Sequence, residues 1–152
     1  MARLEAGSKA PTFTLSDHAG RRVALSDFRG QRAVLYFYPA DDTPGCTKEA
    51  CQFNDALRAF ADLNVTVLGV SPDDAASHDA FRQKYGLNVI LLSDPTKKVM
   101  TAYGAFGEKM LYGKKVQGVI RSTFLISDKG VIERAWYNVR ADGHAAKVLA
   151  AL

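Results

Sequence analysis

Six consecutive residues, Ala33-Val34-Leu35-Tyr36-Phe37-Tyr38, are all apolar or aromatic. A β-prone run without polar alternation has no face to offer to water, so it belongs in a central strand covered on both sides. The residues after the run are as restrictive. Pro39 ends it, and Thr43-Pro44 then reads as an N-cap with proline at the first helical position, where a missing N–H costs nothing. The pattern predicts a helix from Thr43 to about Leu63, with Cys46, Ala50, Phe53, Leu57 and Phe60 among its apolar positions.

The rest of the chain alternates in the same way. Phe13-Thr14-Leu15 and Val23-Ala24-Leu25 flank Asp17-His18-Ala19-Gly20 and read as a hairpin. Val65 to Val70 is a second buried strand, Ser77 to Tyr85 a helix closed by Gly86, and Val89 to Leu92 a third strand. Pro95 to Tyr103 reads as a short helix and Ala105 to Gly118 as a long irregular loop. Val119–Ile126 and Val131–Tyr137 form a hairpin across Asp128-Lys129-Gly130, and Gly143–Leu152 closes the chain as a helix. This is an α/β order: a central mixed sheet flanked by helices, similar to the thioredoxin-like order, with an N-terminal β-hairpin.

At 152 residues, without repeats, linkers or low-complexity stretches, the expectation is one domain over residues 1–152. No apolar run approaches the roughly 20 residues needed to span a bilayer, and the first ten residues carry no apolar core of a secretory signal. The expected compartment is therefore the cytoplasm, with no membrane partner. The net charge of +4 is dispersed, with Arg21-Arg22, Lys97-Lys98 and Lys114-Lys115 in surface segments, so nucleic acid is not an expected partner.

Chemistry concentrates at two cysteines, Cys46 and Cys51. In a reducing compartment such a pair is redox-active more often than a structural staple. With Thr43 as N-cap, Cys46 is the third helical residue, where backbone N–H groups are unpaired and the helix dipole favours a thiolate. Gly45 keeps bulk away from the sulfur, and Pro39 either simply ends the strand or also shields the sulfur from bulk water. Thr43 brings a hydroxyl three residues before the sulfur, suited to capping, to binding an oxygen substrate, or to both. Five residues along a regular helix separate two Cα atoms by roughly 8–9 Å, whereas a disulfide needs less than about 7 Å. Cys46 and Cys51 cannot bond while the helix is intact. Arg121, near the start of the strand Val119–Ile126, reads equally well as an edge residue or a functional cation. His18, His78 and His144 show no metal-ligand spacing and read as surface residues.

Pro39-x-x-x-Thr43-x-x-Cys46 together with Arg121-Ser-Thr-Phe resembles the active-site pattern of peroxiredoxins. Thr43-Pro44-Gly45-Cys46-Thr47-x-Glu49-Ala50-Cys51 is similar to the peroxiredoxin Q, or bacterioferritin comigratory protein, subfamily. The resemblance extends from Gly7 to the final helix. It implies a thioredoxin-like fold and a peroxidase reducing hydrogen peroxide and organic hydroperoxides. It makes Cys46 the peroxidatic cysteine and Cys51 the resolving one, with Thr43 and Arg121 on the peroxide and Glu49 orienting the arginine. It also implies thioredoxin or a similar dithiol as reductant, a monomer, and neither metal nor organic cofactor. Some subfamily members carry the resolving cysteine on the following helix, where this chain has none. Two other classes fit less well: a disulfide reductase would favour C-x-x-C, and a thiol metal carrier needs thiols that meet at one ion.

Overall fold

The computed structural model describes residues 3–152. The elements are β1 (Thr14–Asp17), β2 (Arg22–Ala24), β3 (Arg32–Phe37), α1 (Pro44–Asp55), α2 (Leu57–Asp62), β4 (Val65–Ser71), α3 (Ala75–Tyr85) and β5 (Ile90–Ser93). After them come α4 (Lys98–Ala102), β6 (Phe106–Leu111), β7 (Lys114–Val119), β8 (Ser122–Ile126), β9 (Ile132–Trp136) and α5 (His144–Ala150). Seven of the strands form one sheet in the order β2-β1-β5-β4-β3-β8-β9. The β3–β4 and β4–β5 pairs are parallel, and the remaining pairs are antiparallel, giving the expected mixed sheet.

The apolar run is the middle of that sheet. Residues Ala33 to Tyr38 are each at most 1% exposed, because side chains alternate between two covered faces. Leu35 and Phe37 pack with Leu68, Val70, Met100, Tyr103 and Phe124 on one face. Val34 and Tyr36 pack with Phe53, Phe60, Val67, Phe81 and Val148 on the other, under the helices. Gly69 makes room for this second layer: a Cβ there would meet Tyr36 Cζ at 2.7 Å. The space lets the Tyr36 ring cross β4 and stack on Phe53 with centroids 4.6 Å apart. Such a pair adds about 0.5–1.5 kcal/mol beyond its buried area. Among the described residues no helix is long and apolar enough to cross a membrane.

The structure departs from the sequence reading in four places. The segment Ala105–Gly118 is not an irregular loop: it holds most of the β6–β7 hairpin, turning at Tyr112-Gly113. The expected strand Val119–Ile126 is divided, with Val119 ending β7 and Ser122 opening β8. The helix expected from Thr43 to Leu63 breaks at Ala56 into α1 and α2. His78 and His144 are not surface residues; both are buried, because each finds an oxygen partner inside the fold, while His18 is half-buried.

Candidate active site

Strand β3 delivers the chain to the carboxyl edge of the sheet, and α1 starts there. Thr43 has the extended backbone of an N-cap, and Pro44 is the first helical residue. The Thr43 hydroxyl, however, donates to Ala40 O at 2.9 Å rather than capping the helix. The first turn therefore keeps donors: Thr47 N–H reaches Thr43 O at 2.8 Å, and the two amides before it precede the helical ladder. Cys46 sits in this first turn, only 2% exposed.

Arg121 stands just before the neighbouring strand, whose first residue, Ser122, pairs with Phe37 at the end of β3. It lies in the break between β7 and β8, and Val139 N–H donates to its carbonyl at 3.0 Å, fixing the backbone. Its Nη2 donates to Cys46 Sγ at 3.3 Å, and its Nη1 donates to Glu49 Oε1 at 2.6 Å. Glu49 is one helical turn after Cys46, so the two side chains share a face of α1 and one guanidinium spans both. A Cβ on Gly45 would stand 3.3 Å from Nη2, a tight contact that the guanidinium would have to shift by a few tenths of an ångström to accommodate.

The charges are set by burial. Glu49 is fully buried. Burial pushes its carboxyl up to about 7 against the pull of Arg121, so removal from water outweighs pairing. For Arg121, burial alone would lower its pKa, but Glu49 and Cys46 hold it above its ordinary value. Glu49 Oε2 and the Tyr36 hydroxyl are buried without hydrogen-bond partners. Tyr36 is held well above its ordinary value by burial first, and then by the charges of Glu49, Cys46 and Asp41. Tyr36 belongs to the site's surroundings, and nothing in its apolar run distinguished it.

The seven residues expected at the site fall into two groups. Cys46, Gly45, Glu49 and Arg121 converge on one point. Thr43 stands at the helix start with its hydroxyl turned back to Ala40, and Pro39 is half-buried where the chain leaves β3. Cys51 is a half-buried free thiol further along α1, and Cys46 is also free. Burial, followed by the Asp55 charge, raises the Cys51 thiol above its ordinary value, which keeps it protonated at neutrality. A network around Asp41 and His78, beside the loop that leads to Thr43, was not anticipated.

The AhpC/TSA family model matches residues 6–135. A putative peroxiredoxin of Mycobacterium tuberculosis is 54% identical over 146 residues, covering 96% of this chain and 93% of the relative. Peroxiredoxin Bcp of Bacillus subtilis is 42% identical, covering 98% and 95%. The bacterioferritin comigratory protein of Xanthomonas campestris, studied for its alkyl peroxide reduction activity, superposes with a TM-score of 0.90 at 41% identity, covering 97% and 96%. A PrxQ variant from Xylella fastidiosa superposes with a TM-score of 0.92 at 38% identity, covering 99% and 96%.

Proposed function

This chain belongs to the AhpC/TSA family, in its peroxiredoxin Bcp/Q branch, and from that premise we propose which of its residues carry the thiol peroxidase reaction. The contact of Arg121 Nη2 with Cys46 Sγ in the first turn of α1 is the observation that supports the reading most. The thiolate form of that sulfur is the nucleophile. It attacks the nearer peroxide oxygen in line with the O–O bond. The electron pair of that bond leaves on the second oxygen, which departs as water or alcohol after taking a proton. Arg121, Thr43 and the free amides of the first turn hold the peroxide and stabilise the charge that moves along it. Glu49 orients the guanidinium, while Gly45 and Pro39 shape the approach to the sulfur.

Cys46 is then a sulfenic acid. The Cys51 thiol condenses with it, releasing water and forming a Cys46–Cys51 disulfide, and α1 unwinds between them to let the sulfurs meet. A dithiol protein, thioredoxin or one like it, reduces the disulfide by exchange. Substrates are hydrogen peroxide and organic hydroperoxides; the alkyl peroxide reduction studied in the Xanthomonas relative supports the second class. Both thiols lie in one domain of one chain, so a monomer suffices, and the cycle belongs in the reducing cytoplasm.

Peroxide-dependent oxidation of reduced thioredoxin tests the assignment. Cys46→Ser abolishes it, because a hydroxyl is not ionised near neutral pH; wild-type turnover in this variant would end the reading. Cys51→Ser consumes one peroxide per chain and then stalls. Mass spectrometry after one equivalent of peroxide shows an oxidised Cys46 in that variant, and an unmodified thiol would contradict the order of events.

A further inference from the structure

The loop between β3 and α1 is tied at two consecutive residues by α3. Asp41, with a side chain 3% exposed, accepts from the Tyr38 hydroxyl at Oδ1 (2.5 Å) and from the Ser77 hydroxyl at Oδ2 (2.8 Å). The same Oδ2 is 2.7 Å from Nδ1 of His78, whose side chain is fully buried. Nε2 of His78 lies 3.0 Å from Leu92 O. Both ring nitrogens thus face oxygen atoms of the protein. The Asp41 N–H donates to Asp73 Oδ2 at 2.8 Å, and Ser71 Oγ, at the end of β4, donates to the same oxygen at 2.7 Å. Asp42 follows with a left-handed backbone, φ 55°, and accepts from Lys84 Nζ and the Tyr85 hydroxyl. One short loop is thereby fastened to β3, β4, α3 and the β5 carbonyl of Leu92.

We infer that Asp41 and His78 are positioning residues for the peroxide step, an inference that rests on Cys46 as nucleophile and Thr43 as a peroxide contact. Thr43 is two residues beyond Asp41 and Cys46 is five, so the knot fixes where α1 begins. Attack on an O–O bond requires alignment, and a misplacement of 1 Å can cost about 10²-fold. Loop residues outside a sheet or helix ladder have no backbone partner to supply that precision. A buried carboxylate–imidazole pair is a costly fastening, since removing either partner strands the other, and such a pair favours one geometry over its neighbours. The knot lies upstream of both cysteines. It stays closed while the turn between them opens, and it returns the first turn of α1 to the same place after each cycle.

Three variants test this by first-turnover rapid mixing with hydrogen peroxide, with urea unfolding measured on each. Asp41→Asn removes the carboxylate charge that His78 faces, and Cys46 oxidation slows by about tenfold. Tyr38→Phe removes one donor, keeps the ring stacked on Tyr36, and slows the same step by a smaller factor. Tyr103→Phe is the control on the far face of the sheet, where the lost hydroxyl donates to Pro11 O. It loses stability and keeps the wild-type oxidation rate. Wild-type oxidation rates in both Asp41→Asn and Tyr38→Phe, below their unfolding transitions, would overturn the inference. Slowing of all three variants in proportion to lost stability would overturn it equally. Where Asp41→Asn does not fold, Tyr38→Phe against Tyr103→Phe decides alone. Peroxide turnover surviving in Cys46→Ser would instead remove the catalytic reading beneath it, an outcome these three rates do not mimic.

Discussion

The two faces of the sheet bury similar amounts of hydrophobic side chain and differ in what else they bury. Under α1, α3 and α5 lie Glu49, His78 and His144, all at most 3% exposed, and the unpartnered atoms Glu49 Oε2 and Tyr36 Oη. The opposite face is built around an aromatic stack. Phe37, Tyr103, Phe124 and Tyr137 meet mostly edge to face with centroids 5.1 to 5.9 Å apart. Its tyrosine hydroxyls end on backbone carbonyls, Tyr103 on Pro11 O and Tyr137 on Tyr103 O. Buried polar groups without full partners destabilise a fold, so the helical face gives up stability where the other face gains it. The same strands supply both faces, and β3 contributes Tyr36 to one and Phe37 to the other. The face that carries Cys46 and Glu49 thus holds unpartnered polar atoms, and the reverse side of the sheet holds the edge-to-face aromatic stack.

Substitutions on the two faces should separate rate from stability. The largest effect belongs to Arg121→Met. It removes the guanidinium from Cys46 Sγ and Glu49 Oε1 together, and the peroxide step slows on the order of 10²-fold or more. An unchanged rate would return Arg121 to an ordinary role at the break between strands. Met100→Ala, on the aromatic face, is the reverse case. Met100 is fully buried, and its truncation costs about 2–5 kcal/mol of stability. The first-turnover rate stays at the wild-type value, and a rate loss matching that of Arg121→Met would erase the division between the faces.

That division was only partly legible in the sequence. Strands β3 and β4 announced themselves because burial on both faces leaves no polar alternation to confuse. Thr43-Pro44 marked the start of α1 because local chemistry decides a helix N-terminus. The β6–β7 hairpin was missed although its register is regular. Its turn, Tyr112-Gly113, has φ 52° and 78°, and a tyrosine stands at a left-handed position where asparagine or aspartate is the usual signal. The break at Ala56 has no glycine or proline to betray it. His78 and His144 were misplaced because their partners, Asp41 and Thr123, are 37 and 21 residues away, and only the folded chain brings them together. On its own residues Arg121 reads equally well as an edge residue or a functional cation, and only the family resemblance singles it out for a place at the site. The structure then gave that place a physical content, with sulfur and carboxylate on two arms of one guanidinium.

The smallest effect sharpens the comparison furthest, because it reads the cost of the polar face directly. Burial pushes Glu49 from 4.5 up to about 7, with Arg121 opposing. The folded chain therefore binds this proton more tightly than the unfolded chain. The contribution of Glu49 to stability is complete below about pH 4.5 and is lost as pH rises towards 7. His144 runs the other way. Burial, helped by Lys147 and Arg121, lowers it from 6.5 to about 4, so its contribution is complete above 6.5 and is lost as pH falls towards 4. Between these limits the two groups oppose each other and flatten the wild-type profile. Glu49→Gln removes one of them and leaves His144 to act alone, so this variant loses stability on acidification more steeply than the wild type. Urea midpoints across the range give the measurement as a difference, wild type minus variant, which declines as pH rises. The same difference taken for Met100→Ala is flat, since that position carries no proton. Parallel profiles for wild type and Glu49→Gln would mean that Glu49 binds its proton equally in the folded and the unfolded chain across this range. The polar face would then owe its cost to unpaired oxygen atoms rather than to a displaced proton.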